Sequence, residues 1–204
     1  MKRKGMSVLL CLVLLVPLCT AVFATERTAE ENRNIILFSD HLDEVRNQLW
    51  AEDILYLQNE LPKLHKNLFY TITKDEFLEM TNALLEDVGT LENPQVFVRL
   101  GEIIAAVGDA HTTIDYWDGH LYPLSFWFFG GDLYIVDTSG EYDDMRYAEV
   151  LQINGIGIKD IIQQLTRLIP HENENWPAAM LPEFIQKPVY MYGLGLFPMK
   201  AVRC

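Results

Sequence analysis

The chain has 204 residues, half of them hydrophobic, and a formal charge of −13 from 29 Asp and Glu against 16 Lys and Arg. That length can bury the core of one ordinary domain or two small ones. Such an acidic balance argues against a nucleic-acid partner, because phosphate backbones are repelled, and its plainest consequence is solubility.

The first residues read as a targeting signal. Lys2, Arg3 and Lys4 precede the apolar stretch from Met6 to Leu18, and Val22-Phe23-Ala24 offers a cleavage site after Ala24. Export is the expectation, to the exterior, the periplasm or the cell surface. An uncleaved anchor is the competing reading and would be the chain's only contact with a membrane, since Met6–Ala24 nearly reaches the roughly 20 residues of a spanning helix. Cleavage would remove Cys11 and Cys19, leaving Cys204 without an intrachain disulfide partner, and would make the mature chain three charges more negative.

Residues 25–39 read as a linker and residues 40–107 as a helical bundle. Ser39 or Asp40 is the expected N-cap of a first helix whose apolar residues Leu42, Val45, Leu49, Ile54, Leu57 and Leu61 recur at threes and fours, until Pro62 kinks or ends it. Thr73 and Glu76 form a capping-box pattern for a second helix that stops near Gly89. Asn93-Pro94 opens a third, ended by Gly108. The period then becomes extended. His111–Tyr116, Leu121–Phe129 and Leu133–Thr138 read as strands, with Gly130-Gly131 as the tight turn between the last two. Glu149–Asn154 reads as a short further strand, turned by Gly155 and Gly157 into a helix over Lys159–Leu168. Proline-rich residues 170–188 belong to an irregular or weakly helical tail spanning 169–204. Helices first and strands second predict an α+β protein with a soft boundary near Gly108.

Little of the remaining chemistry is self-contained. His41, His65, His111, His120 and His171 never show the paired spacing of a helical zinc site, and no cofactor is implied. Ser125 and Ser139 lack a Gly-x-Ser-x-Gly elbow and read as strand or turn residues. Glu141 with Asp143-Asp144 reads as a solvated acidic loop. Phe126-Trp127-Phe128-Phe129 shows no alternation, which predicts burial on both faces, with an exposed peptide-binding patch as the second reading.

The segment Gly108-Asp109-Ala110-His111-Thr112 is the strongest signal, because it places an imidazole where helix gives way to strand. Together with Pro62–Phe69, which contains His65, and the helices around it, this segment resembles the N-terminal region of tail-specific, or C-terminal-processing, serine peptidases, closest to the tricorn-core-related branch. The likeness continues through Val150–Ile156, with its Ile-Asn-Gly, and the helix to Leu168, so that residues 108–168 resemble a strand-rich, PDZ-like region. It implies an N-terminal, non-catalytic portion that engages a polypeptide substrate, followed by a catalytic domain carrying the serine. His111 matches the histidine that acts as base toward that serine, a role that a neutral imidazole can fill by taking the serine's proton. Asp109, two residues away, is poorly spaced to orient His111 and better placed to close the turn after Gly108. The alternative expectation is a free-standing secreted module that binds peptides or proteins on a degenerate peptidase scaffold.

Overall fold

The computed structural model describes residues 29–115, 119–173 and 175–198, with side chains from Asp43 onward. The expected signal lies outside the described residues. The chain divides into Met1–His41 and Leu42–Cys204, and the site and packing described below belong to the second unit. The described residues form an α+β architecture: helices α1 (Ala29–Leu64), α2 (Lys74–Asp87) and α3 (Asn93–Ala106), then strands β1 (Leu124–Phe129) and β2 (Asp132–Thr138). A minimal hairpin follows, β3 (Gln152–Ile153) and β4 (Ile156–Gly157), and then α4 (Ile158–Thr166), α5 (Trp176–Gln186) and α6 (Pro188–Gly193).

The first helix starts earlier than its expected cap. Ser39 and Asp40 lie inside α1, because no glycine or proline interrupts residues 29–61 and cap-type residues alone do not stop a helix. Pro62 sits in the last turn, and the helix ends two residues later. The α2 cap forms as its sequence pattern requires, with Thr73 Oγ1 accepting from the Glu76 N–H at 3.2 Å and the Glu76 carboxylate accepting from the Thr73 N–H at 2.8 Å. The Thr73 hydroxyl, donating to Glu76 Oε2 at 2.6 Å, and then the Thr73 N–H hold the Glu76 carboxyl below its usual range.

Two apolar clusters meet at α3. Val96, Ile103 and Val107 pack with Ile54, Phe77 and Leu84 of α1 and α2. Phe97 and Val98 pack instead with β1, β2 and the last three helices, through Phe126, Leu133, Ile161 and Met191. Successive helical residues point about 100° apart, so a run of three apolar residues buries α3 on two sides and makes it the shared wall of both clusters. Thr81 is the buried polar residue of α2, and it is satisfied by Gln58 Nε2 at 2.8 Å and by the Phe77 carbonyl at 2.9 Å.

The strands pair antiparallel with Phe126 opposite Ile135 and Phe129 opposite Asp132, after an irregularity between Ser125 and Phe126. Gly130 and Gly131 both have positive φ, the backbone that a two-residue hairpin turn demands. Residues 147–150 extend the sheet beyond β2, through Tyr147 N–H to the Ile135 carbonyl and Val150 N–H to the Leu133 carbonyl. The β3–β4 turn uses Asn154 and Gly155, again both at positive φ.

Three expectations are corrected here. His111–Asp115 is turn and coil rather than strand, because the Asp109 side chain captures the local N–H that a ladder would need. Trp127 and Phe129 are exposed while Phe126 is buried, since helices cover only one face of this small sheet. The proline-rich tail is helical over α5 and α6. Pro177 and Pro188 occupy first turns, where a missing N–H costs nothing, and burial of Leu181 and Ile185 offsets the bond lost at Pro182.

Candidate functional site

The site grows from the end of α3. Gly108 terminates the helix at φ +71°, a left-handed conformation in which a side chain would also strike Thr71. The next residue, Asp109, then becomes the hub of a compact turn. Its Oδ1 accepts the His111 backbone N–H at 2.9 Å, and its Oδ2 accepts the Thr112 hydroxyl at 2.9 Å. Its own carbonyl accepts the Thr112 N–H at 2.9 Å.

The same carboxylate crosses to the segment after α1. His65 Nε2 lies 2.9 Å from Asp109 Oδ2, and His65 Nδ1 accepts the Asn67 backbone N–H at 3.1 Å. An Nδ1 that accepts leaves the proton of neutral imidazole on Nε2, so the network assigns the tautomer in which His65 donates to Asp109. Both ring nitrogens of His65 are engaged, which makes it a strut between two segments rather than a free base. The His111 N–H, then the His65 ring and the Thr112 hydroxyl, pull the Asp109 carboxyl down to about 2.

His111 itself is exposed, and its ring makes no hydrogen bond among the described residues. Only its backbone is held. Asp109 thus closes the turn and fixes where the His111 side chain emerges, while the imidazole stays open to an incoming group. Ser125 lies in β1 opposite Asp137, and Ser139 donates its N–H to the Pro123 carbonyl.

A cleft of about 680 Å³ opens beside the His65–Asp109 pair, lined also by Lys66, Asn67 and Tyr70 and by His171 and Glu172 from the far side. His171 Nδ1 bonds the Ile169 carbonyl at 2.7 Å and must donate there, so in the neutral ring Nε2 is the acceptor. His111 is not among the residues lining this cleft. Among the described residues, no three of His, Cys, Asp and Glu are grouped to hold a metal ion.

Two features escape a linear reading. The His65–Asp109 bond joins residues 44 positions apart, and no local pattern announces it. Lys187, only 5% exposed, bonds Asp115 at 2.6 Å and Glu183 at 2.9 Å, tying α5 and α6 to the segment after the His111 turn. Burial disfavours its charge, but the bonds to Asp115 and Glu183 prevail, and its pKa is raised. The i, i+4 spacing of Glu183 and Lys187 is visible in the sequence.

The structure therefore defines an α+β protein in which a carboxylate-centred turn presents one open histidine. A scan against protein-family models and a search of curated proteins each found no match.

Proposed function

We propose that the chain is the N-terminal, non-catalytic portion of an exported serine peptidase of the tail-specific type, with residues 108–168 serving as a PDZ-like region that engages polypeptide. In this reading His111 is the base that takes the proton from a serine supplied by a catalytic domain encoded further on. One observation carries it: the Asp109 turn fixes the His111 backbone while leaving its imidazole exposed and unengaged. A general base must reach a partner's hydroxyl, and a histidine bonded at both nitrogens, as His65 is, could not. The two hairpins followed by amphipathic α4 support the PDZ-like part.

The deciding experiment is to read the coding DNA past codon 204. A continuing frame that encodes a serine in a glycine-rich strand-to-helix turn supports the reading, and in that protein His111→Ala should abolish peptide hydrolysis while leaving folding intact. A stop followed by an unrelated gene refutes it in favour of a free-standing binding module. Cleavage of a fluorogenic peptide by the 204-residue chain alone, lost in His111→Ala, would overturn both.

A further inference from the structure

A second concave surface lies between α1 and α3, a groove of about 590 Å³. On α1 it is walled by Trp50, Leu57, Leu61 and Leu64, spaced at sevens, fours and threes along one stripe, and on α3 by Phe97, Leu100 and Ile104 at threes and fours. Trp50 is fixed at one end by its Nε1–H donating to Asn93 Oδ1 at 2.9 Å, which ties α1 to the start of α3. Two residues at its rim are open to solvent, Tyr56 at 67% and Leu64 at 73% exposed, while Phe97 and Ile104 at its base are buried. From Trp50 to Leu64 at 1.5 Å per residue the trough runs about 21 Å, close to four helical turns.

Its charge has one sign. Every charged side chain that lines it is a carboxylate: Asp53, Glu60 and Asp115. Glu60 bonds Lys63, and Asp115 bonds Lys187 while keeping its side chain 65% exposed. Asp53 is exposed and has no partner among the described residues. A second copy of this chain would bring the same carboxylates and the same acidic surface to the contact, so like charges oppose self-association there.

We propose that the α1–α3 groove docks a basic amphipathic helix of a polypeptide partner. The apolar face of that helix covers the Leu57, Leu61 and Leu100 floor, and its Lys or Arg side chains meet Asp53, Glu60 and Asp115. This is the helix-in-groove mode, in which residues at i, i+3, i+4 and i+7 anchor the ligand. The site does not include His111 and does not depend on peptidase chemistry, so either reading can fail without the other.

The test uses the full chain and a synthetic peptide of about fourteen residues, with Leu at i, i+3, i+4, i+7 and i+11 and Lys at most other positions. Its controls are a Glu-for-Lys counterpart and a scramble of the same composition, all followed by fluorescence anisotropy. The Lys peptide should bind, and Asp53→Lys and Tyr56→Lys should each weaken it about tenfold or more. Both residues are exposed, so unchanged circular dichroism verifies the fold. Equal binding of the scramble or of the Glu peptide would overturn the proposal, as would no binding or indifference to the two substitutions. A dimer in sedimentation that Tyr56→Lys dissociates would also overturn it, in favour of a second copy as the occupant.

Discussion

Gly193→Ala tests whether α3 is the shared wall of the molecule. Gly193 ends α6 against the first turn of α3. An added Cβ would have the Pro94 carbonyl carbon at 3.0 Å, with the Pro94 oxygen and a Val98 methyl nearer still. Val98 is 4% exposed and β-branched, so it has little room to rotate away. Pro94 offers backbone, which cannot yield without moving α3, so α6 must withdraw from it. Overpacking of this kind costs about 1–3 kcal/mol. The better helix propensity of alanine returns less than the ~1 kcal/mol of a mid-helix site, because position 193 is the last of its helix. A net loss of about 1–2 kcal/mol lowers the Tm of a domain this size by about 2–8 °C. Urea unfolding followed by tryptophan fluorescence measures the loss as a lower midpoint at constant slope. Adding Val98→Ala should recover only part of it, because the Pro94 oxygen remains. An unchanged or raised midpoint for Gly193→Ala would refute the close α3–α6 contact and, with it, the two-sided burial of α3.

Three further outcomes follow from the hydrogen-bond networks. The Asp109 carboxyl, held near 2 in the folded chain against 3.8 for the free group, adds stability that is fully present above about pH 4 and lost as pH falls toward 2. Unfolding midpoints of the native chain and Asp109→Asn should therefore differ near neutrality and converge at low pH; a gap that persists there would sink the assignment. Lys187 has the opposite sign: its raised pKa contributes stability below the ordinary lysine value of 10.5, and that contribution disappears as pH rises through the folded value. Lys187→Met should cost about 1–3 kcal/mol by losing charge-assisted bonds and should remove that alkaline limb, as alkaline denaturation curves would show. Thr73→Ala should destabilise by about 1 kcal/mol and Thr73→Ser by much less, read by thermal melts, because only the hydroxyl is needed to cap α2.

Local chemistry was legible wherever one or two residues settle a conformation. Thr73 with Glu76, Pro94, Gly108 and Gly130-Gly131 mark their cap, start, stop and turn in the sequence, because each solves a backbone problem within four residues. The His111 turn was only half legible. Asp109 could be assigned to closing it, but not the coil that follows, since a side chain competing for one N–H outweighs a short extended pattern.

By itself, then, the sequence determined an acidic α+β protein, the order of its main helices and strands, and the exposed histidine as the residue to examine. Tertiary structure decided the rest. It turned the proline-rich tail into α5 and α6, because burying Leu181, Ile185 and Met191 outweighs propensity. It exposed Trp127 and Phe129 by covering one face of the sheet. It joined His65 to Asp109 across 44 residues, making one histidine a strut and leaving the other open. Such pairings depend on where separate elements come to rest, which periodicity along the chain does not encode.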